Sequence, residues 1–535
     1  MLNKKNFFDK LFVVFFILSS PFFTILVSNR YEPKVVLIGA FLSFISVAFL
    51  SYKFLKDVLI NYKTLFISFL LSLYSMKYYV LYDNLFLNFL KIKIYNRFNI
   101  FIDSSLENFF ALMATIFLSG LIYIFFEKFF PEIKKFFKEL STVEKKYLVI
   151  VFLLGFLSSI VLSHLTSAFS IPYYDGKLQI YDVIYTSDSG AITYEDAYFN
   201  VSYVENDIRQ PLFGVFAYPF SLVGKIISEF IFFVPSGYEY ATAMSFIQFI
   251  LLCIINIFVS RMLKLSECEK KLFFVLTSVC FSYLLFSILL EQYVIGVFYL
   301  ILACYYRFNS RKTNYLFVAS VGTLLTSGIT FFMIPKNFKI KTIIFDLLKC
   351  FLLFCFVLVI WGQFPQIFLA FKNFNSLTSS FAHKLSFMEK FYQFSNFVSG
   401  IFIAPKSYVT SLFQHPSYQL VPVSKIMFGG IIVFVLCIIS YILNRKNSFV
   451  KFCFFWILFS FVLLCLFGWG TSENGLVLYS IYFAFAYISL LFMLIKKMFS
   501  NAKFLNYFIY ICSCILFIIN CFGLYDLLRF SIMYY

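Results

Sequence analysis

Windows of about 20 mostly apolar residues, each long enough to cross a bilayer as a helix, follow one another almost end to end through this 535-residue chain. Hydrophobic residues make up 61% and charged residues 13%, far from the composition of soluble domains. Lipid is therefore the solvent for most of the molecule. In hydrocarbon every backbone polar group needs a partner inside the protein, which limits spanning segments to helices and closed barrels. Apolar runs of this length select helices, so the sequence predicts an all-α, polytopic transmembrane protein with about 13 spans.

The formal net charge of +18 would suit a nucleic-acid partner. However, Lys and Arg fall mainly between apolar runs, as cytoplasmic loops require, and no basic patch interleaved with aromatics stands on a soluble segment. Nucleic acid is excluded as a partner; membrane lipids are expected around the chain. Lys4, Lys5 and Lys10 precede the run 11–28, which lacks a small-x-small cleavage site and so reads as a retained helix with a cytoplasmic amino terminus. Runs near 33–51, 64–82 and 107–126 follow, while Leu85, Phe86, Phe89, Leu90 and Ile94 suit a helix lying on the membrane surface. Residues 1–140 thus form a module of about four spans. Lys128, Lys134, Lys135, Lys138, Lys145 and Lys146 then make the densest basic cluster, ahead of a span at 147–168.

One crossing later the charge inverts. Asp175, Asp182, Asp188, Glu195, Asp196, Glu205 and Asp207 face only Lys177 and Arg209, so 170–239 reads as an external loop. Counting 211–234 as a full span would turn Arg261, Lys264, Lys270 and Lys271 outward; a surface helix broken at its prolines and glycines restores the alternation. Spans near 240–262, 271–288 and 291–306 leave Glu291 at an outer mouth. Two short helices hinged at 326–328, a span at 343–362, a second external region at 363–424 with His383 and His415, and four last spans complete a 141–535 core. The 12 Cys lie in or beside apolar runs, so no disulfide framework is expected, and Cys512 and Cys514 read as buried thiols.

Three features converge on the external side: the loop with Asp188, Glu195, Asp196, Asp207, Arg209 and Gln210; Glu291; and the connection Gly468–Asn474 with Glu473. Moving a sugar from a phosphate carrier to a hydroxyl requires a carboxylate to accept the proton and donors or cations for the departing phosphate. Asp188 in TSDSG and the run Arg209-Gln210-Pro211-Leu212-Phe213 resemble the acidic residue and the basic-Pro-Leu signature of the GT-C class of membrane glycosyltransferases, which use polyprenyl-phosphate sugars. The likeness continues in Glu291 of LLEQY and in LLTSG before FFMIP, and covers about 147–335. It departs from that pattern in having Asp188-Ser189 in place of paired acids, and in an acidic loop that follows the fifth span.

The resemblance implies a GT-C-like fold and an inverting transfer at the outer face of a bacterial inner membrane, from a polyprenyl-phosphate-linked sugar to a glycan or lipid acceptor. In that scheme Asp188 deprotonates the acceptor, Arg209 steadies the phosphate and Glu291 orients sugar or acceptor, with Glu195, Asp196, Asp207, Gln210 and Glu473 in the binding site. No organic cofactor is implied, and a divalent metal is left open. Two alternatives stand beside it: a polysaccharide polymerase or ligase, which would depend on Arg and His within 363–424, and a lipid-linked saccharide flippase or transporter, which would place charges in mid-span.

Overall fold

The computed structural model describes all residues except 1–3, 30, 55–59, 77–83, 103, 170–183, 186, 188–209, 232–238, 310–313, 335–339, 366–367, 369–371, 373–381, 383–384, 413–414, 422–425, 472–475, 500 and 535. The chain forms two compact units: Met1–Leu140 with Asn200–Val215 and Ile344–Lys372, and Ser141–Phe199 with Phe216–Ile343 and Asn373–Tyr535. Almost all ordered elements are helices, and large apolar side chains such as Phe41, Phe101 and Phe351 stay more than half exposed. Such an exterior suits lipid rather than water. Eight described helices are long and apolar enough to cross a membrane, or nine if one bent pair counts as a span, and the protein is an integral membrane protein on that basis. Among the described residues, the expected span at 271–288 proves bent and the run at 315–335 folded back.

The first unit packs α1 (Lys4–Val27), α2 (Pro33–Phe54), α3 (Tyr62–Met76) and α5 (Ser105–Lys138). Phe16 and Phe23 of α1 meet Phe117 of α5 at ring distances of 4.8 and 5.1 Å. The surface helix α4 (Leu85–Phe98) starts at Asn84, whose side chain accepts from the Phe86 and Leu87 amides, and buries those same two residues. Lys91 of α4 pairs with the buried Glu107 of α5.

In the second unit α6 (Thr142–Phe169) lies antiparallel to α8 (Glu239–Met262): Tyr147 accepts a hydrogen bond from Asn256, whereas Phe156, further along, meets Phe246. Their shared end is held by ions. Arg261 grips Glu144 through two hydrogen bonds of 3.0 and 2.6 Å, and Lys270 reaches the same carboxylate at 3.1 Å. Between α6 and α8 in the sequence lies α7 (Phe213–Phe230). The break expected within 211–234 is absent: α7 is one helix that continues through Pro219. It is stitched to the second unit by the Tyr299 hydroxyl on the Phe216 carbonyl (2.8 Å) and by Lys225 over the Tyr240 ring (4.0 Å).

The next segment does not simply cross and recross. Helix α9 (Glu267–Val279) meets α10 (Phe281–Ile288) at a bend of 65°. After residues 289–292, α11 (Tyr293–Phe308) runs back, with Tyr305 against Phe258 near the ionic end (4.7 Å). A second hairpin, α12 (Asn314–Thr323), a 3-10 turn at Leu325–Ile329 and α13 (Thr330–Met333), bends at the anticipated Thr326-Ser327-Gly328 hinge. Arg307 closes its base by donating to the Phe331 carbonyl at 2.9 Å. After α14 (Ile340–Ile360), which from Ile344 onward belongs to the first unit, α15 (Phe387–Gly400) leads into a hairpin of β1 (Ser407–Leu412) and β2 (His415–Leu420), paired from Ser407↔Leu420 to Leu412↔His415. The chain is mostly helical as expected, and this hairpin is the exception among the described residues; alternating Tyr408, Thr410 and Tyr418 suit a pleated ribbon. Helices α16 (Phe428–Asn444), α17 (Ser448–Ser460), α18 (Ser480–Met498) and α19 (Ala502–Tyr534) complete the unit.

Candidate functional site

Glu291 stands in the irregular link between α10 and α11, and one glutamine holds that link. Gln248 of α8 accepts the Glu291 amide at 3.3 Å and donates to the Phe286 and Leu289 carbonyls at 2.6 and 2.7 Å. A broken helix in an apolar surround leaves orphan backbone groups that protein must satisfy; Gln248 satisfies three. It lies nine residues from Glu239 and fourteen from Met262, about 13 Å and about 21 Å along the helix axis. Glu291 is 1% exposed and lies at the depth of Gln248 within the bundle. Helix α10 is too short and too tilted to carry the link to the end of α8.

Around this tip the described residues are aromatic and polar. Tyr293 packs on Phe286, Tyr479 and Tyr482 at ring distances of 6.2, 5.9 and 5.0 Å. Gln292 is 4% exposed, and its side-chain carbonyl has no hydrogen-bond partner among the described residues. Tyr479 in turn covers Gly470, where an added Cβ would lie 2.6 Å from its ring. The Gly468–Thr471 turn and Glu291 are therefore linked through two tyrosines. Gly468 and Gly470 hold φ of 72° and 77°, a region that side chains resist.

A second locus gathers the two polar regions. Ile184 bridges Tyr418, the Tyr185 amide donates to the Tyr418 carbonyl at 3.0 Å, and the Tyr185 hydroxyl lies 3.0 Å from Ser407 Oγ. Burial pushes the Tyr185 phenol above its ordinary range, against the lowering effect of Ser407. The described part of the acidic segment is thus tied to the hairpin by a single parallel bridge, and Tyr418 also packs on Phe530 of α19 (5.4 Å).

Asp188, Glu195, Asp196, Asp207, Arg209 and Glu473 lie outside the described residues. Gln210 is buried, and its carbonyl accepts the Phe213 amide at 3.1 Å, so the Gln210-Pro211-Leu212 run does start a helix; it belongs to the first unit, and Glu291 to the second. Sequence reasoning missed Gln248, Gln292 and Asn520. Asn520 of α19 bridges the α9–α10 bend, donating to the Val279 and Phe402 carbonyls at 2.7 and 2.8 Å and accepting the Ala404 amide at 2.9 Å. The signal was available: an amide inside an apolar run needs a partner. A cavity of about 440 Å³ between α1, α3 and α5, lined by Phe12, Phe15, Leu65 and Phe66, offers no reactive group and suits a lipid-facing cleft.

No group of three or more His, Cys, Asp or Glu among the described residues is arranged to hold a metal ion. Compared with known protein families, curated proteins and solved structures, the chain matches none.

Proposed function

We propose that the protein is a membrane glycosyltransferase of GT-C type that moves a sugar from a polyprenyl-phosphate carrier to an acceptor on the outer face of a bacterial inner membrane. One observation carries this reading: a buried carboxylate, Glu291, adjoins a buried amide oxygen on Gln292 that lacks a partner among the described residues, at a helix break within an apolar bundle. Ionisable groups at such depth are expensive and are associated with function. Glu291 and Gln292 suit the hydroxyls of a sugar or acceptor, and the neighbouring Tyr293, Tyr479 and Tyr482 offer ring faces for it.

The orientation follows from charge. Arg261, Lys270 and Lys496 meet at the end of the second unit opposite the α8 amino terminus, and the positive-inside rule assigns that end to the cytoplasm. Substrates would then arrive from the other end, through about 13 Å of protein, with Asp188 as base and Arg209 at the phosphate.

Reconstituted protein supplied with a radiolabelled polyprenyl-phosphate sugar tests the reading. Glu291→Gln should cut transfer by about 100-fold or more, and Asp188→Asn by a similar factor, as loss of acid-base groups does. Wild-type rates in both variants, with the fold intact, would remove the proposal.

A further inference from the structure

We propose that Lys390 and the Gly468–Thr471 turn form a binding site for a phosphate ester. Lys390 stands near the amino terminus of α15, where the helix dipole disfavours a cation. The residue is half-buried, and its ammonium has no ion pair or hydrogen bond among the described residues. The nearest carboxylate in sequence, Glu389, is already committed to the Ser386 capping box, accepting the Ser386 amide at 2.8 Å and the Ser386 hydroxyl at 2.8 Å. That commitment holds the Glu389 carboxyl below its ordinary range, and burial opposes it only weakly. The lysine side chain instead lies against backbone: a Cβ on Gly468 would sit 2.7 Å from Lys390 Cε and 3.1 Å from Nζ. Any side chain at 468 would have to displace the lysine tail as well as adopt a φ of 72°. A lysine that merely reached for water would leave position 468 free to carry one.

The turn itself suits an anion. Gly468 and Gly470 take positive φ on either side of Trp469, which does not, and such alternation folds the backbone into the concavities that receive oxyanions. Two of its amides are engaged, Trp469 with the Leu463 carbonyl (3.1 Å) and Thr471 with the Gly468 carbonyl (3.2 Å). The ammonium is therefore the main source of charge, and the turn supplies shape. A compact, multiply charged oxyanion matches one point charge beside small residues. The ester could be carried by a lipid or arrive as free phosphate, and this site requires only the shared group. It stands whether or not the chain transfers sugars.

Trp469 makes the site its own reporter, with the other two of the three tryptophans as constant background. Full-length protein in phosphatidylcholine nanodiscs would be titrated with farnesyl phosphate, farnesol and inorganic phosphate, reading tryptophan emission. Farnesyl phosphate should give a saturable change, and farnesol none. Lys390→Gln should weaken it about tenfold or more, as loss of a charge-assisted contact does, while Lys390→Arg stays within about threefold and Gly468→Ala also weakens it. Competition by inorganic phosphate identifies a free-phosphate site; its failure to compete identifies a lipid-borne one. Equal response to farnesol, no saturable response at all, or unchanged affinity in both Lys390→Gln and Gly468→Ala overturns the proposal.

Discussion

Replacing Gln248 by Leu roughly keeps the side chain's volume but removes the three hydrogen bonds its amide makes at the α10–α11 link. Three backbone groups lose a hydrogen bond: the Phe286 and Leu289 carbonyls and the Glu291 amide. Interhelical hydrogen bonds in membranes average about 0.6 kcal/mol each, which sets a floor near 2 kcal/mol. Leaving buried groups unsatisfied costs about 1–3 kcal/mol each, which sets a ceiling near 9 kcal/mol. All three groups belong to a buried helix break, so the upper half of that range is expected. The measurement is unfolding in nanodiscs followed by hydrogen exchange. Gln248→Leu should lower the transition clearly, and protection should fall at 286–296 while the α6–α8 contact at Tyr147 keeps its own. Gln248→Glu, which when protonated retains an acceptor for the Glu291 amide and one O–H donor for the two carbonyls, should fall between wild type and Leu. A Gln248→Leu loss below about 0.5 kcal/mol, or exchange spread evenly over the unit, would refute the claim that this side chain holds the tip.

Asn520→Leu should be comparably damaging at the other break, with enhanced exchange at Phe281, Ser282 and Ala404, because it strips two donated bonds and one accepted bond. Tyr185→Phe removes the hydroxyl contact with Ser407 and should cost about 1 kcal/mol, visible as faster exchange in the 407–420 hairpin. At the ionic end, burial would raise the Glu144 carboxyl, but hydrogen bonds from Arg261, the Ser141 amide and Lys270 outweigh it and hold the group low. A depressed folded-state value means stability is present above the unfolded carboxylate range, near pH 4.3, and is lost as pH falls through the folded value. Arg261→Ala should therefore destabilise by about 3–5 kcal/mol near neutral pH and flatten the acid limb of a stability-against-pH curve.

Much of the helical framework is legible in single residues. Ser266 with Glu269 and Ser386 with Glu389 form capping boxes at helix starts, a spacing readable from sequence. The Thr326-Ser327-Gly328 hinge and the helix after Gln210-Pro211-Leu212 also stand where small residues and proline place them. The bend at Cys280 was not legible: no proline or glycine marks it, and its backbone is satisfied by Ile401, Phe402 and Asn520, more than a hundred residues away. Likewise Glu291 reads as a helix-end residue until Gln248, 43 positions earlier, fixes how far up the bundle that end lies. The hairpin escaped notice because its connection, Phe413-Gln414, lacks the Asn-Gly or Gly-X chemistry of tight turns.

Because both folded-back hairpins stop part-way along the bundle, hydrocarbon is not the only medium between the aqueous phases here. The insulating layer is locally thinned by protein dipoles: a polar head entering beside α8 would meet Gln248 and Glu291 after about 13 Å instead of the full ~30 Å of an unbroken bilayer core. The electrostatic toll of bringing an ionised group to the carboxylate falls accordingly, while the Glu144, Arg261 and Lys270 cluster pins α6 to α8 at the far end.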